Sequence, residues 1–77
     1  MDWRYNPDTK QWEASRNGWR GVVARWVSGA EWIAAIEPLG TTQARRMAPY
    51  VFRWMEDAQA WCAAEIARHG QLPEAAK

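Results

Sequence analysis

The stretch GWRGVVARWVSGAEWIAAIEPLG, residues 18–40, decides the fold and holds three of the seven tryptophans in this 77-residue chain. Two turn sequences delimit its strands. Asn17-Gly18 is the pair preferred in a two-residue type I′ hairpin, and Ser28-Gly29 predicts a second turn. We therefore expect an antiparallel meander with strands near Trp3–Tyr5 and at Gln11–Arg16, Trp19–Val27 and Ala30–Glu37, ended by Pro38 and Gly40.

These two turns also predict how the strands pair. The first places Ala14 opposite Gly21, and the second places Gly21 opposite Ile36 and Arg25 opposite Trp32. Because successive side chains point to opposite faces of a sheet, one face collects Trp12, Ala14, Trp19, Gly21, Val23, Trp32, Ala34 and Ile36. The other face collects Glu13, Ser15, Arg20, Val22, Ala24, Trp26, Glu31, Ile33 and Glu37. Two independent turns thus give one apolar face and one mixed face.

The sequence MEDAQAWCAAEIARHG, residues 55–70, predicts a helix. Its acidic residues fall in the first turn and its basic residues in the last, as the helix dipole prefers, and Gly70 suits the C-terminal cap. Its apolar stripe, Ala58, Trp61, Cys62 and Ile66, is expected to lie on the tryptophan face, which Gly21 lets the helix approach closely. Residues 41–54 are expected to be irregular, with one short extended piece at Tyr50–Arg53.

The expected fold class is therefore α+β, a three- or four-stranded antiparallel β-meander with one C-terminal helix packed on one face. Residues 1–70 form a single small domain, and residues 71–77 form a flexible tail. A chain of this size has little room for a hydrophobic core, and the large buried area of each tryptophan ring compensates for it.

Composition argues against several functions. One cysteine permits no internal disulfide and no Cys/His zinc cluster, and no apolar run approaches the roughly 20 residues of a membrane span. The first residues lack the apolar core of a secretory signal, which favours a cytoplasmic location. Cys62 is interpreted as a core residue and His69 as a capping residue, so we expect a non-enzymatic protein without cofactor, metal, membrane partner or small-molecule substrate.

Basic residues are concentrated in the middle of the chain. The net charge is +1, but residues 16–53 contain six arginines and two glutamates. Such a pattern is consistent with a recognition surface and equally with a solvated face in a protein from a GC-rich genome. The arginines in question are Arg16, Arg20, Arg25, Arg45, Arg46 and Arg53.

One family resemblance emerges from the same stretch. Trp19-Arg20-Gly21-Val22, then Arg25, the Ser28-Gly29 turn and Trp32-Ile33-Ala34-Ala35-Ile36 before Pro38 resemble the core pattern of ethylene-response-factor (APETALA-type) DNA-binding domains. Downstream, Phe52, Glu56, Asp57 and Ala58 are similar to the run that opens the helix of that family. The amino-terminal domains of some phage integrases share this arrangement. The resemblance extends over about Trp19 to Arg68.

The resemblance implies DNA binding by the sheet face opposite the helix, with Arg20, Arg25 and Trp26 at the matched positions. Two departures weaken the implied charge complementarity. Val23 and Ala24 stand where the family usually has further basic residues, and glutamates share the face. Phosphate contacts are normally made by Lys or Arg, and carboxylates repel the same phosphates.

A protein contact is the alternative function. Val22, Ala24, Trp26, Ile33 and Ala35 would form an apolar strip with a charged rim, which is the usual anatomy of an interface. The partner would be a second copy of the chain or a larger protein on which this chain docks, as a phage or mobile-element accessory or inhibitor protein does. A third interpretation leaves no site, because residues 41–49 and the tail fold over the strip.

Trp54 has two interpretations as well. A large ring cannot cap the helix as Ser, Thr, Asp or Asn would. Trp54 therefore either closes one end of the core or stands exposed beside Arg53 and Arg45–Arg46 as a base-stacking or partner-anchoring residue. The candidate ligand-binding residues, for DNA or for a protein partner, are therefore Arg20, Val22, Arg25, Trp26, Ile33, Arg45, Arg46, Arg53 and Trp54.

Overall fold

The computed structural model describes residues 1–26, 29–40 and 45–69, with His69 described by its backbone alone. The elements in chain order are β1 (Arg4–Asn6), β2 (Gln11–Arg16), β3 (Trp19–Arg25), β4 (Trp32–Pro38), β5 (Arg46–Met47) and α1 (Met55–His69). The five strands form one antiparallel sheet in chain order, and α1 packs chiefly on β3 and β4. The predicted α+β meander with one C-terminal helix is confirmed.

The β2–β3 hairpin turns at Asn17 and Gly18, which have φ angles of 54° and 82°. Positive φ at both central residues defines the type I′ turn that this pair favours. The turn sets Ala14 opposite Gly21 and Arg16 opposite Trp19. The register predicted for the first hairpin is therefore confirmed.

The pairing of β3 with β4 also follows the predicted register. Gly21 lies opposite Ile36, and Arg25 lies opposite Trp32. Both strands differ from the prediction at their ends, because β3 ends at Arg25 and β4 begins at Trp32. Residues 27–28, which include part of the predicted turn, lie outside the described residues.

The core lies between the tryptophan face of the sheet and α1. Its buried residues are Val23, Ala34, Ile36, Ala58, Cys62 and Ile66, with Trp12, Trp19, Trp32 and Trp61 among the rings packed against them. Gly21 permits the close packing, since a Cβ at that position would lie 3.0 Å from both the Cys62 Cβ and the Trp3 Cη2. The predicted helix stripe and the role of Gly21 are thus confirmed.

Cys62 is a core residue. Its side chain is fully buried, and its thiol donates a weak hydrogen bond to the Ala35 carbonyl oxygen at 3.4 Å. Burial raises the pKa of the Cys62 thiol to about 11 because the thiolate is poorly solvated there. The thiol is therefore protonated at neutral pH and is a poor nucleophile.

The segment before the helix is more ordered than the sequence predicts. Residues 41–44 lie outside the described residues, but Arg46–Met47 form the fifth strand beside β4. Phe52, inside the predicted extended piece, exchanges two backbone hydrogen bonds with Trp32, at 2.7 and 2.8 Å. Both edge strands of the sheet are very short, which limits pairing between copies through their edges.

Helix α1 begins at Met55, after Trp54. The Trp54 carbonyl oxygen accepts hydrogen bonds from the Asp57 and Ala58 amides, at 3.2 and 3.3 Å. Gly70 and the predicted tail lie outside the described residues. No helix among residues 1–26, 29–40 and 45–69 combines the length and apolarity that crossing a membrane requires.

Candidate functional site

A three-residue ion cluster lies on the sheet face opposite α1. Glu37, at 2% exposure, accepts hydrogen bonds on Oε2 from Arg20 Nε (2.9 Å) and Nη2 (2.6 Å). Its Oε1 accepts one from Arg45 Nε at 3.0 Å and is 2.8 Å from Arg45 Nη2. The register brings Arg20 and Glu37 together because they are directly paired residues of β3 and β4. We call these three residues the arginine clamp.

The arginine clamp keeps a buried carboxylate ionised. Burial alone would raise the pKa of Glu37, but the hydrogen bonds and positive charges of Arg45 and Arg20 lower it by more, so its pKa falls below the ordinary 4.5. The two arginine side chains are 35% and 40% exposed. The contacts with Glu37 use the Nε and Nη2 groups of each arginine. The clamp therefore carries one net positive charge, and each partly exposed guanidinium has further N–H donors besides those bonded to Glu37.

The predicted apolar strip on this face is only partly accessible. Val22 and Ala35 lie opposite each other and are 5% and 4% exposed. Ala24 and Ile33 are half-buried. Because Val22 and Ala35 are almost fully buried, the centre of the strip offers little apolar surface to a partner.

Arg20 also borders a second feature of this face. A polar concavity of about 460 Å³ lies near β1 and β2, with Arg4, Glu13, Ser15 and Arg20 in its lining. Arg4 and Glu13 are directly paired in the sheet. The exposed polar surface therefore continues from the clamp towards the amino-terminal strand.

Arg25 and Trp26 lie at the other end of β3. The Arg25 guanidinium lies 5.1 Å from the centre of the Trp32 ring, on the helix side of the sheet. Trp26 is 45% exposed and lines a concavity of about 360 Å³ with Tyr5, Lys10, Trp12, Arg25 and Trp32. We call this the aromatic concavity. Of the positions matched to the resembling family, Arg20 lies opposite the helix, whereas Arg25 does not. The predicted place of Trp26 on the face opposite the helix is wrong, because Trp26 follows the end of β3 and lines the concavity with helix-side residues.

The remaining candidate residues are divided between the sheet edge and the start of the helix. Arg46 is exposed on β5, opposite Ile36. The Arg53 guanidinium lies 5.9 Å from the ring centre of Trp54, which is 60% exposed. Trp54 therefore does not close the core. The exposed alternative is the one observed, because Met55 and Phe52 pack against the core instead.

The sequence favours a salt bridge between Glu37 and Arg20, but Glu37 was expected to be exposed and was not among the candidate site residues, which also lacked most of the aromatic concavity. Glu37 had a usable signal, since the predicted register already places it opposite Arg20. No comparable signal in the sequence predicts the contact of Arg45 with Glu37, because Arg45 lies outside the two hairpins. Tyr5 and Lys10 approach Trp26 only through the β1–β2 turn, where the Lys10 amide donates to the Asn6 carbonyl oxygen at 2.7 Å.

The described residues show no metal centre. No group of three or more His, Cys, Asp or Glu side chains within residues 1–26, 29–40 and 45–68 could hold a metal ion. What the arrangement supplies chemically is guanidinium donors on one face and exposed rings with cations on the other.

No protein-family model matches the sequence, and no curated protein or solved structure shows significant similarity to it.

Proposed function

We propose that this chain is a small non-enzymatic binding module that contacts the phosphates of duplex DNA through the sheet face opposite α1. The observation that carries the proposal is the arginine clamp, in which Glu37 holds Arg20 and Arg45 side by side. The resemblance to the ethylene-response-factor domain supports the choice of face. It does not identify a preferred DNA sequence.

Preorganisation is the physical reason for assigning a role to the clamp. A free arginine loses side-chain entropy when it binds an anion, whereas Arg20 and Arg45 are already oriented by Glu37. A guanidinium has five N–H donors, and the donors that face away from the carboxylate remain available to phosphate oxygens. Charge-assisted hydrogen bonds of this kind are stronger than neutral ones.

The modest charge of the face predicts modest affinity. Glu37 offsets one of the two clamp charges, and Glu13 lies on the same face as Arg4. Because phosphate binding releases counterions in proportion to the number of neutralised phosphates, we expect few phosphate contacts. Binding should therefore be strongest in dilute buffer and weaken as salt is added.

The experiment is a titration of fluorescently labelled duplex DNA, followed by anisotropy at several salt concentrations. Arg20→Gln and Arg45→Gln should each weaken binding and reduce the slope of log affinity against log salt by about 0.9. Arg16→Gln is the matched control, since Arg16 is exposed beside the Asn17 turn and belongs to no part of the clamp. Absence of duplex binding in dilute buffer would remove the proposal.

A protein contact is the second candidate, favoured by a different observation. Large apolar side chains are exposed on β5 and in the segment between β5 and α1, where Met47, Tyr50, Val51 and Trp54 are 50%, 56%, 46% and 60% exposed. Trp and Tyr are frequent anchors of interfaces, and Trp26 adds a further exposed ring. The partner is a second copy or a larger protein.

Sedimentation distinguishes this candidate from the first. A protein contact predicts a dimer or a complex that Trp26→Asp or Trp54→Asp disrupts while the thermal unfolding transition is retained. Arg20→Gln should leave the assembly intact. A monomer at all accessible concentrations, with no change in either tryptophan variant, would count against self-association.

A further inference from the structure

The aromatic concavity is a separate surface from the arginine clamp. Tyr5, Trp12, Arg25 and Trp32 occupy the helix side of the sheet, as their register shows, whereas Arg20 and Glu37 occupy the opposite side. Helix α1 packs chiefly on β3 and β4. The concavity therefore lies on the helix side of the sheet, at the end where the β1–β2 turn, the end of β3 and the start of β4 come together.

Four aromatic side chains, those of Tyr5, Trp12, Trp26 and Trp32, are among the residues that line this concavity. The Tyr5 and Trp12 rings lie with centroids 5.4 Å apart and planes tilted by 57°. The Arg25 guanidinium lies over the Trp32 ring, and both Tyr5 and Trp26 remain about half exposed, at 49% and 45%. A flat apolar group can therefore enter from solvent and contact several rings, which is how aromatic platforms hold bases.

The charge of the lining is one-sided. Among the described residues of the lining, Lys10 and Arg25 are the charged ones, and none carries a carboxylate. Glu31 is the acidic residue nearest to Trp26 in the sequence. The backbone carbonyl oxygen of Glu31 accepts a hydrogen bond from the Trp26 amide at 2.8 Å. Its carboxylate lies beside Gly29 instead, since a Cβ at Gly29 would be 2.6 Å from Glu31 Oε1. This lining complements an anion.

We propose that the aromatic concavity binds one unpaired nucleotide, with the base against the rings and the phosphate towards Lys10 and Arg25. A volume of about 360 Å³ is at the small end of ligand sites, which suits a single base. A base stacked within a duplex cannot reach the rings. The ligand is therefore a nucleotide whose base is accessible, either free or within a single strand.

The experiment uses the full chain and a labelled single-stranded oligothymidine, with thymidine monophosphate and inorganic phosphate as competitors. Oligothymidine should bind, and the mononucleotide should compete, whereas inorganic phosphate at the same concentration should not. Oligothymidine that binds far more tightly than the mononucleotide identifies a strand as the ligand. Equal affinity per site identifies the free nucleotide.

Trp26→Ala is the principal variant. Loss of one base-stacking ring should weaken oligothymidine binding about 5- to 150-fold. Tyr50→Ala is the control, because Tyr50 is also an exposed aromatic side chain, at 56%, but lies outside the concavity. The affinity of this variant for oligothymidine should equal that of the unmodified chain. Circular dichroism of both variants checks that the fold is retained.

Charge variants supply a second readout that does not depend on the indole. Lys10→Gln and Arg25→Gln should each reduce the salt slope for single-strand binding by about 0.7. Arg16→Gln removes the same charge elsewhere and should leave the slope unchanged. Because Lys10 is exposed in a turn, its variant keeps the test decisive even if Trp26→Ala is unstable.

Four results would overturn this inference. They are no binding of oligothymidine, an equal loss in Tyr50→Ala, a loss in Arg20→Gln that Trp26→Ala does not share, and binding of an acidic aromatic peptide in place of the strand. A failure to bind duplex DNA is a separate result. It removes the function proposed for the arginine clamp and leaves this site to be judged by its own variants.

Discussion

Arg20 and Arg25 lie on the same strand, five residues apart and on opposite faces, and the partners across the strand give them different chemistry. Arg20 faces the carboxylate of Glu37 at 2.6 Å, whereas Arg25 faces the indole of Trp32 at 5.1 Å. The Arg20 guanidinium is thus held by a carboxylate, and the Arg25 guanidinium is held by an aromatic ring. The cross-strand partner, more than the local sequence, therefore decides whether the charge of an arginine is already offset by a carboxylate before a ligand binds.

The two faces should respond differently to the loss of the same side chain. Ile36 is fully buried under α1, and Ile33 is half-buried on the opposite face of the same strand. Ile36→Ala should lower the free energy of unfolding by about 2–5 kcal/mol, which is the largest effect expected here. Ile33→Ala should cost clearly less, because its site is already open to water.

Urea unfolding measured by tryptophan fluorescence tests this difference. The two variants remove the same atoms, so any difference in midpoint reports the environment alone. Equal losses would mean that the two faces of β4 are packed alike, contrary to the placement of the helix.

Removing the acid of the arginine clamp should give a smaller but pH-dependent effect. Glu37→Gln should cost about 1–3 kcal/mol near neutral pH, since a buried ion pair is costly to break and the exposure of both arginines reduces its strength. The pKa of Glu37 is lowered in the folded chain. Its contribution is therefore present above the unfolded value of 4.5 and is lost as the pH falls through the folded pKa.

The measurement is the unfolding free energy of both chains from neutral to acidic pH. The difference between the unmodified chain and Glu37→Gln should shrink below about pH 4.5. A difference that stays constant across this range would show that the ionised carboxylate contributes nothing to stability. Glu13→Gln, on the same face but outside the clamp, serves as the control at neutral pH.

The aromatic contact of Arg25 should have the smallest effect on stability. A cation over an exposed ring contributes about 0.5–1 kcal/mol, so Arg25→Gln should shift the unfolding midpoint only slightly. Arg53→Gln, which breaks the contact with exposed Trp54, should shift it no more than that. Thermal unfolding of the two variants in parallel checks the ranking, and a loss in Arg25→Gln comparable to Glu37→Gln would contradict it.

The sheet could be predicted because its register depends on local chemistry. Asn17-Gly18 fixes one hairpin through backbone conformation, and alternation then assigns every side chain to a face. The fifth strand could not be predicted, since Arg46–Met47 is two residues long and its pairing with Ala35 and Ile36 depends on the tertiary fold. A strand of that length has no periodicity of its own.

The candidate site was predictable to a similar degree. The Arg20–Glu37 pair follows from the register, but the approach of Arg45 depends on a connection outside the hairpins. The surroundings of Trp26 could not be predicted because alternation holds only within the strand, which ends at Arg25. The exposure of Trp54 could not be predicted either, because Trp54 lies between the sheet and the helix, where neither the strand period nor the helix period applies.

The most direct test of the arginine clamp as a phosphate-binding unit is the duplex DNA affinity of Glu37→Gln beside that of the unmodified chain at one low salt concentration. The substitution removes one negative charge and so raises the net charge of the face by one. Net charge alone would therefore tighten binding. If Glu37 instead holds Arg20 and Arg45 ready for phosphate, binding weakens despite the added charge. We predict weaker binding, and equal or tighter binding by the folded variant would contradict the account.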